Sequence, residues 1–329
     1  MKRILMMLLA ALMLCPAAGA EEIDLVSPTT GLPVDHVYSP MVAQMDNEPG
    51  ARPQCGIASA DVVYETEVYN GGYTRYTCVF NDTIPEKIEA VRSARMLHLD
   101  IYQEWGGAFV NYGFQNAEGS DAAGYAKKVV TTLYNGITGI KGFYRDDNRR
   151  APNNVVCKLR DLYDRTEPPE TERGSLVFSD TPTSEGEKVS VFRVPYAENL
   201  GYYPSYEWDE TEGAYRRYYN REPYLDGTTG EQITCENVIV QYVKYSWYGG
   251  DGNRPIVEMT GTNRCDYFIG GMHFSGYWTR DAVSENTTYY DDAGNVVQFA
   301  RGKTYIQMLK DTKEVEIAAE SFGGSPKEK

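Results

Sequence analysis

Residues 61–105 read DVVYETEVYNGGYTRYTCVFNDTIPEKIEAVRSARMLHLDIYQEW, and this stretch decides the fold class. Asp61 to Tyr69 and Thr74 to Phe80 are rich in Val, Tyr and Thr, residues that suit a pleated, half-buried surface. Between them Asn70-Gly71-Gly72 tolerates positive φ, so the spacing predicts a β-hairpin. Ser93 then stands as a helix N-cap. Leu97, Ile101 and Trp105 follow it at intervals of four, the stripe of an amphipathic helix. A hairpin that runs into a helix opens an α+β fold.

Working outward, Met41 to Met45 is a short apolar run ended by the turn-forming Asn47-Glu48-Pro49-Gly50. Phe109-Val110 restarts a strand, Ala122, Ala126, Val129 and Leu133 form a second helical stripe behind Asp121, and Val155, Leu159 and Leu162 form a third behind Asn154. Strands and helices alternate too irregularly for βαβ repetition. Around residues 165–190 the chain turns rich in Glu, Pro, Ser and Thr about one short strand, Leu176 to Ser179. Beyond it the pattern is strongly β, with a second hairpin signal at Gly270-Gly271. The expected fold is α+β, a layered sandwich of mixed and antiparallel sheets. Its expected parts are a leader (1–20), a linker (21–37), an N-terminal α+β domain (38–168), a boundary segment (169–190), a mostly antiparallel β-rich C-terminal domain (191–310) and a polar tail (311–329).

The chain has 329 residues, with 32 Lys+Arg against 47 Asp+Glu, a formal net charge of −15. Nucleic acid and anionic membrane surfaces both require a basic face, so neither is expected as a partner. Apolar content of 42 % supplies a core. Met1-Lys2-Arg3, an apolar run from Ile4 to Leu14 and Ala18-Gly19-Ala20 have the form of a secretory signal. The run rises only about 16 Å as a helix, too short for a bilayer core of about 30 Å. Cleavage after Ala20 removes Lys2 and Arg3 and makes the mature chain more acidic. An extracytoplasmic protein is expected, with no membrane-spanning helix after cleavage. Cys15 leaves open a lipid anchor, and an uncleaved signal leaves open retention. Cys55, Cys78, Cys157, Cys235 and Cys265 contain no Cys-x-x-Cys, which leaves buried free thiols and a Cys55–Cys78 disulfide as alternatives.

His36, His98 and His273 lie in separate elements, which disfavours a Ser–His–Asp site or a histidine zinc site. No nucleophile elbow or phosphate loop occurs, and neither a metal nor a cofactor is expected. Arginine stands out instead. Arg52, Arg75, Arg92, Arg95, Arg145, Arg149 and Arg150 fall at turns or element ends of the first half. Guanidinium forks beside a helix start bind carboxylate or phosphate. The same arginines could equally pair one by one with Asp61, Glu65, Glu67, Asp100, Asp146 and Asp147. The 27 tyrosines fit a half-exposed sheet, a sugar-stacking face or a protein-docking surface.

Several motifs occur in an order that resembles the YerB-like lipoprotein family of Gram-positive bacteria, which has two domains of unknown function. They are Ala51-Arg-Pro-Gln-Cys-Gly56, Ala60-Asp-Val-Val-Tyr-Glu65, Gly71-Gly-Tyr-Thr-Arg75, Val91-Arg-Ser-Ala-Arg95, Phe143-Tyr-Arg-Asp146 with Arg150-Ala-Pro-Asn153, Asn237-Val-Ile-Val-Gln-Tyr242 and Gly302-Lys-Thr-Tyr-Ile-Gln307. The resemblance spans about residues 38–310. It implies an exported, envelope-associated α+β protein and no particular reaction. Where relatives tend to carry histidine, this chain has Asn111-Tyr-Gly-Phe-Gln115 and Asn153. Three readings remain open. One is a binding protein whose arginine-lined cleft holds a wall glycan, peptide or phosphate-bearing ligand. The second is a phosphotransferase-like envelope enzyme using arginines and Mg²⁺, and the third is a structural or partner-docking module. The candidate ligand-binding residues are Arg52, Gln54, Asp61, Glu65, Arg75, Arg92, Ser93, Arg95, Asn111, Arg145, Asp146, Arg150 and Asn153. Asp61 and Glu65 are expected to orient the arginines.

Overall fold

The chain reverses between Glu67 and Thr74 through Gly71 and Gly72, whose φ angles of 100° and 117° lie in the region that favours glycine. At Gly72 a Cβ would also lie 1.7 Å from the Cβ of Ala197, so space and backbone both demand glycine. The hairpin forms as expected: Val62–Glu67 pairs antiparallel with Thr74–Phe80. A computed structural model describes residues 25–116, 118–167, 173–197, 203–248 and 254–318 of the chain. The leader with Cys15, part of the boundary segment and most of the polar tail lie outside those residues.

On one side of the hairpin, Met41–Asp46 pairs antiparallel with Thr74–Phe80 and parallel with Ala108–Asn111, which in turn runs parallel to Thr132–Asn135. Helices α1 (Met96–Trp105) and α2 (Ala122–Val129) make the crossovers. On the other side, Val62–Glu67 pairs in parallel with Thr304–Lys310, from the far end of the chain. The Asn237–Val243, Gly261–Ile269 and Met272–Arg280 strands continue the sheet. Both halves of the sequence therefore contribute to one eleven-stranded mixed sheet. A second sheet runs through Val191–Arg193, Pro204–Asp209 and Ala214–Tyr219, and a third contains Ile88–Glu89, Val155–Cys157 and Phe143–Arg145. The fold is mostly β with few helices, in mixed and antiparallel sheets.

Side chains alternate across the large sheet, so neighbours in sequence enter different cores. Val63, Cys78, Val240 and Tyr305 join one core with Phe192, Tyr206 and Tyr215 of the second sheet. Val62, Val79, Ile239 and Ile306 join the other with Leu97, Ile101 and Trp105 of α1. All five cysteines among the described residues are buried and free, so Cys55 and Cys78 form no disulfide.

Local expectations fail where long-range pairing intervenes. Ser93 is not the cap of α1, which starts at Met96 behind Arg95. The preceding residues are instead drawn into an extended pairing, with Ala94 N–H donating to Gly113 O and Ser93 Oγ to Tyr112 O. Val155 belongs to a strand, and the helix behind it covers only Leu159–Tyr163. The segment read as a linker is docked: Leu25–Val26 pairs with Pro33–Val34, and the hydroxyls of Ser27 and Thr30 donate to Asp82. Glu316–Ala318, read as tail, pairs with Val191–Arg193.

Candidate functional site

Three parallel strands end side by side at Asp46, Asn111 and Asn135, and the N-terminus of α1 lies against them. The carboxyl edge of parallel strands is where open α/β sheets place ligands, because chain reversals there leave a crevice lined by polar loop residues. Asp46 stands opposite Arg75 in the register, so both side chains leave the same face of the sheet. Arg75 Nη2 lies 3.7 Å from Asp46 Oδ1, and its Nη1 donates to Ser93 O at 2.5 Å. The 90–94 segment runs beside the strand end, with Arg92 N–H donating to Gln44 O, and this places Arg92 Nε 2.7 Å from Asp46 Oδ2. Arg92 Nη2 is 3.9 Å from Glu48 Oε1.

Arg95 completes the cluster. It is 2 % exposed, and none of its three guanidinium nitrogens has a hydrogen-bond partner among the described residues. Its guanidinium carbon sits 4.9 Å from the ring centre of Tyr69. Burial first, then the charge of Arg75, push the Arg95 guanidinium well below its ordinary pKa, against the opposing polar interaction with Tyr69 and with Arg254 adding to the effect. Arginine resists deprotonation, so the buried guanidinium keeps its charge. His98 Nδ1 accepts from Arg95 N–H at 3.0 Å, which assigns the imidazole proton to Nε2. Burial, then Arg75 and Arg95, hold His98 well below its usual pKa, so the ring is neutral. Glu48 is raised by burial and then by Asp46, against the opposing pull of Arg92, Arg75 and Arg95. Asn111 Nδ2 donates to Gly113 O at 2.6 Å, while its Oδ1 has no partner among the described residues.

The other expected residues lie elsewhere. Arg52, Gln54 and Glu65 form a buried seam next to the cluster. Arg52 Nε donates to Asn47 Oδ1, Gln54 Nε2 to Asp46 O, and Asn47 Nδ2 to Glu65 Oε1. Glu65 orients no arginine of the first half; its Oε2 is 2.7 Å from Arg217 Nη2, and both side chains are fully buried. Tyr224 O–H closes the seam by donating to Gln54 Oε1. Asp61 contacts none of the arginines. It accepts from Thr29 Oγ1 and from the Asn81 and Asp82 N–H groups, and burial with the Asp82 charge raises it to about 7. Arg145 donates to Asn154 Oδ1 and approaches the ring of Tyr112, the neighbour of Asn111. Asp146 closes its own turn on Asn148, Arg150 is exposed, and Asn153 packs against Gly50. The structure thus gathers Arg75, Arg92, Ser93, Arg95 and Asn111, and distributes the rest.

Glu48, Tyr69 and His98 belong to the cluster without having been among the candidates. Position at a strand or helix end is the signal that could have found Glu48 and His98. Tyr69 reaches Arg95 only because the hairpin folds back.

The first half, residues 29–172, matches the N-terminal domain of a protein of unknown function, DUF3048, and residues 192–306 match its C-terminal domain. The "Putative lipoprotein YerB" of Bacillus subtilis (strain 168) is 24% identical over 303 residues, 89% of each chain. The crystal structure of the YerB protein from Bacillus subtilis superposes with a TM-score of 0.76 at 23% identity, covering 89% of this chain and 99% of that one. With both domain models matched in order over most of its length, the chain belongs to the DUF3048 family.

Proposed function

We propose that this chain is an exported cell-envelope protein that holds the anionic group of a wall-derived ligand among Arg75, Arg92 and Arg95. One observation carries the reading: a buried guanidinium, Arg95, whose nitrogens meet no hydrogen-bond acceptor at close range among the described residues, beside a second buried arginine. An unsatisfied buried polar group costs about 1–3 kcal/mol and a charged one more, so a site that retains it has a use for it. Asp46 holds Arg75 and Arg92 in place, Ser93 fixes Arg75 through its carbonyl, and Arg92 with Glu48 forms the partly exposed edge of the cluster. The signal-like N-terminus supports export, as does the name carried by the Bacillus subtilis relative. The gap between the two matched domain models supports a boundary near 169–190, and the two cores on opposite faces of the large sheet support a layered arrangement. Binding of purified wall fragments to the folded protein tests the function. Arg92→Ala and Arg95→Ala each weaken it, and unchanged binding in both variants refutes the reading.

A further inference from the structure

We propose that the arginine site takes a tetrahedral dianion, such as a phosphate monoester or free phosphate, and that Glu48 binds a proton as the ligand enters. The inference rests on the anion-site reading and adds the charge of the ligand and a coupled protonation.

Charge balance gives the first part. Within the set in contact with Asp46 or facing Glu48, three guanidiniums, Arg75, Arg92 and Arg95, stand against two carboxylates, Asp46 and Glu48, an excess of one positive charge, and Arg254 adds positive charge near Arg95. Asp46 is fully buried and contacts both Arg75 and Arg92. Glu48 is the other acid, with a side chain 25% exposed and a contact of only 3.9 Å to Arg92. Protonating Glu48 raises the excess to two, the charge of a phosphate monoester. Geometry gives the second part. The groups facing Glu48 are Asp46 of its own segment, Arg75 from the neighbouring strand, Arg92 from the adjacent loop and Arg95 at the start of α1. A dianion on Arg92 and Arg95 takes up the positive charges that now keep Glu48 ionised and adds a negative charge beside Asp46. Both changes favour the neutral carboxyl. Burial and Asp46 already push Glu48 above its ordinary pKa, so ligand entry adds to a shift already in the same direction. The proton passes from solvent to a Glu48 oxygen, and no covalent bond of the ligand changes.

Sulfate is the clean probe, because it does not titrate between pH 5 and 8. Calorimetric titration of the full mature chain is expected to show sulfate affinity rising about tenfold from pH 8 to pH 5, with proton uptake read from buffers of different ionisation heat. Glu48→Gln makes the affinity independent of pH and removes the uptake. Methyl phosphate and inorganic phosphate bind like sulfate, and the tighter of the two shows whether the site takes a phosphate terminus or the free ion. Dimethyl phosphate and acetate, each with one charge, bind at least about tenfold more weakly. A pH-independent sulfate affinity in the wild type, persistent pH dependence in Glu48→Gln, or equal binding of mono- and dianions overturns this inference and leaves the anion site standing. Undetectable binding of every anion, or unchanged sulfate binding in Arg95→Met, overturns the site itself.

Discussion

Replacing Arg95 by methionine is expected to stabilise the ligand-free protein. The guanidinium is buried, has no hydrogen-bond partner among the described residues, and lies near Arg75. Removing an unsatisfied buried group recovers about 1–3 kcal/mol, and more for a charge. Against this stands the loss of the Tyr69 contact, worth about 0.5–2 kcal/mol for a cation over an aromatic face. Methionine keeps most of the aliphatic stem, so little packing is lost. The balance is a gain of about 1–2 kcal/mol, or roughly 1–3 °C in Tm for a chain of this size. Urea unfolding in a buffer free of phosphate and sulfate measures it. Sulfate at a hundred times its dissociation constant should then stabilise the wild type by about 2.7 kcal/mol and leave the variant unmoved. A variant less stable than wild type by more than about 1 kcal/mol would show that Arg95 is satisfied in the resting protein, and the case for an anion site would collapse.

Other outcomes follow from the same geometry. Arg217→Met is expected to lose about 3–5 kcal/mol, because Glu65 is left buried without its partner, while Arg217→Met with Glu65→Leu recovers most of that loss; equal losses would show that the pair is not coupled. Gly72→Ala is expected to destabilise well beyond the about 1 kcal/mol of an ordinary glycine site, since its φ is positive and Ala197 occupies the space; a neutral result in thermal unfolding contradicts the register of the hairpin. Asp61 titrates near 7 in the folded chain and near 4 unfolded, so the folded state holds the extra proton between those values. Its contribution to stability is therefore present at low pH and lost as pH rises toward 7. Asp61→Asn should gain on the wild type by about 1.4 kcal/mol per pH unit across that window, and parallel stability curves would refute the assignment. Burial pushes the Cys78 and Cys157 thiols up, so a thiol reagent at pH 8 should label them only on unfolding, and labelling of native protein within seconds would contradict their placement.

Local order was legible wherever one segment carries its own instructions. Asn70-Gly71-Gly72 between two Val/Tyr/Thr runs specifies the hairpin, and Asp121 before Ala122 and Ala126 specifies α2, whose cap bond from Gly124 N–H is present. The arginines of Val91-Arg-Ser-Ala-Arg95 were visible as a cluster because they are three residues apart. Their partners were not. Asp46 meets Arg92 only because the 90–94 segment pairs beside a strand end, and Glu65 meets Arg217 across 152 residues of sequence.

The sequence alone therefore determined the class of elements, the location of the arginines and the acidic character of the chain. Those properties depend on propensity and composition, which act within a few residues. Tertiary structure decided which arginines share one site, that Ser93 supplies a carbonyl and no cap, and that both halves build one sheet. These outcomes depend on strand pairing at long range, where any Val- and Tyr-rich segment suits several neighbours and only the packing of two cores selects among them.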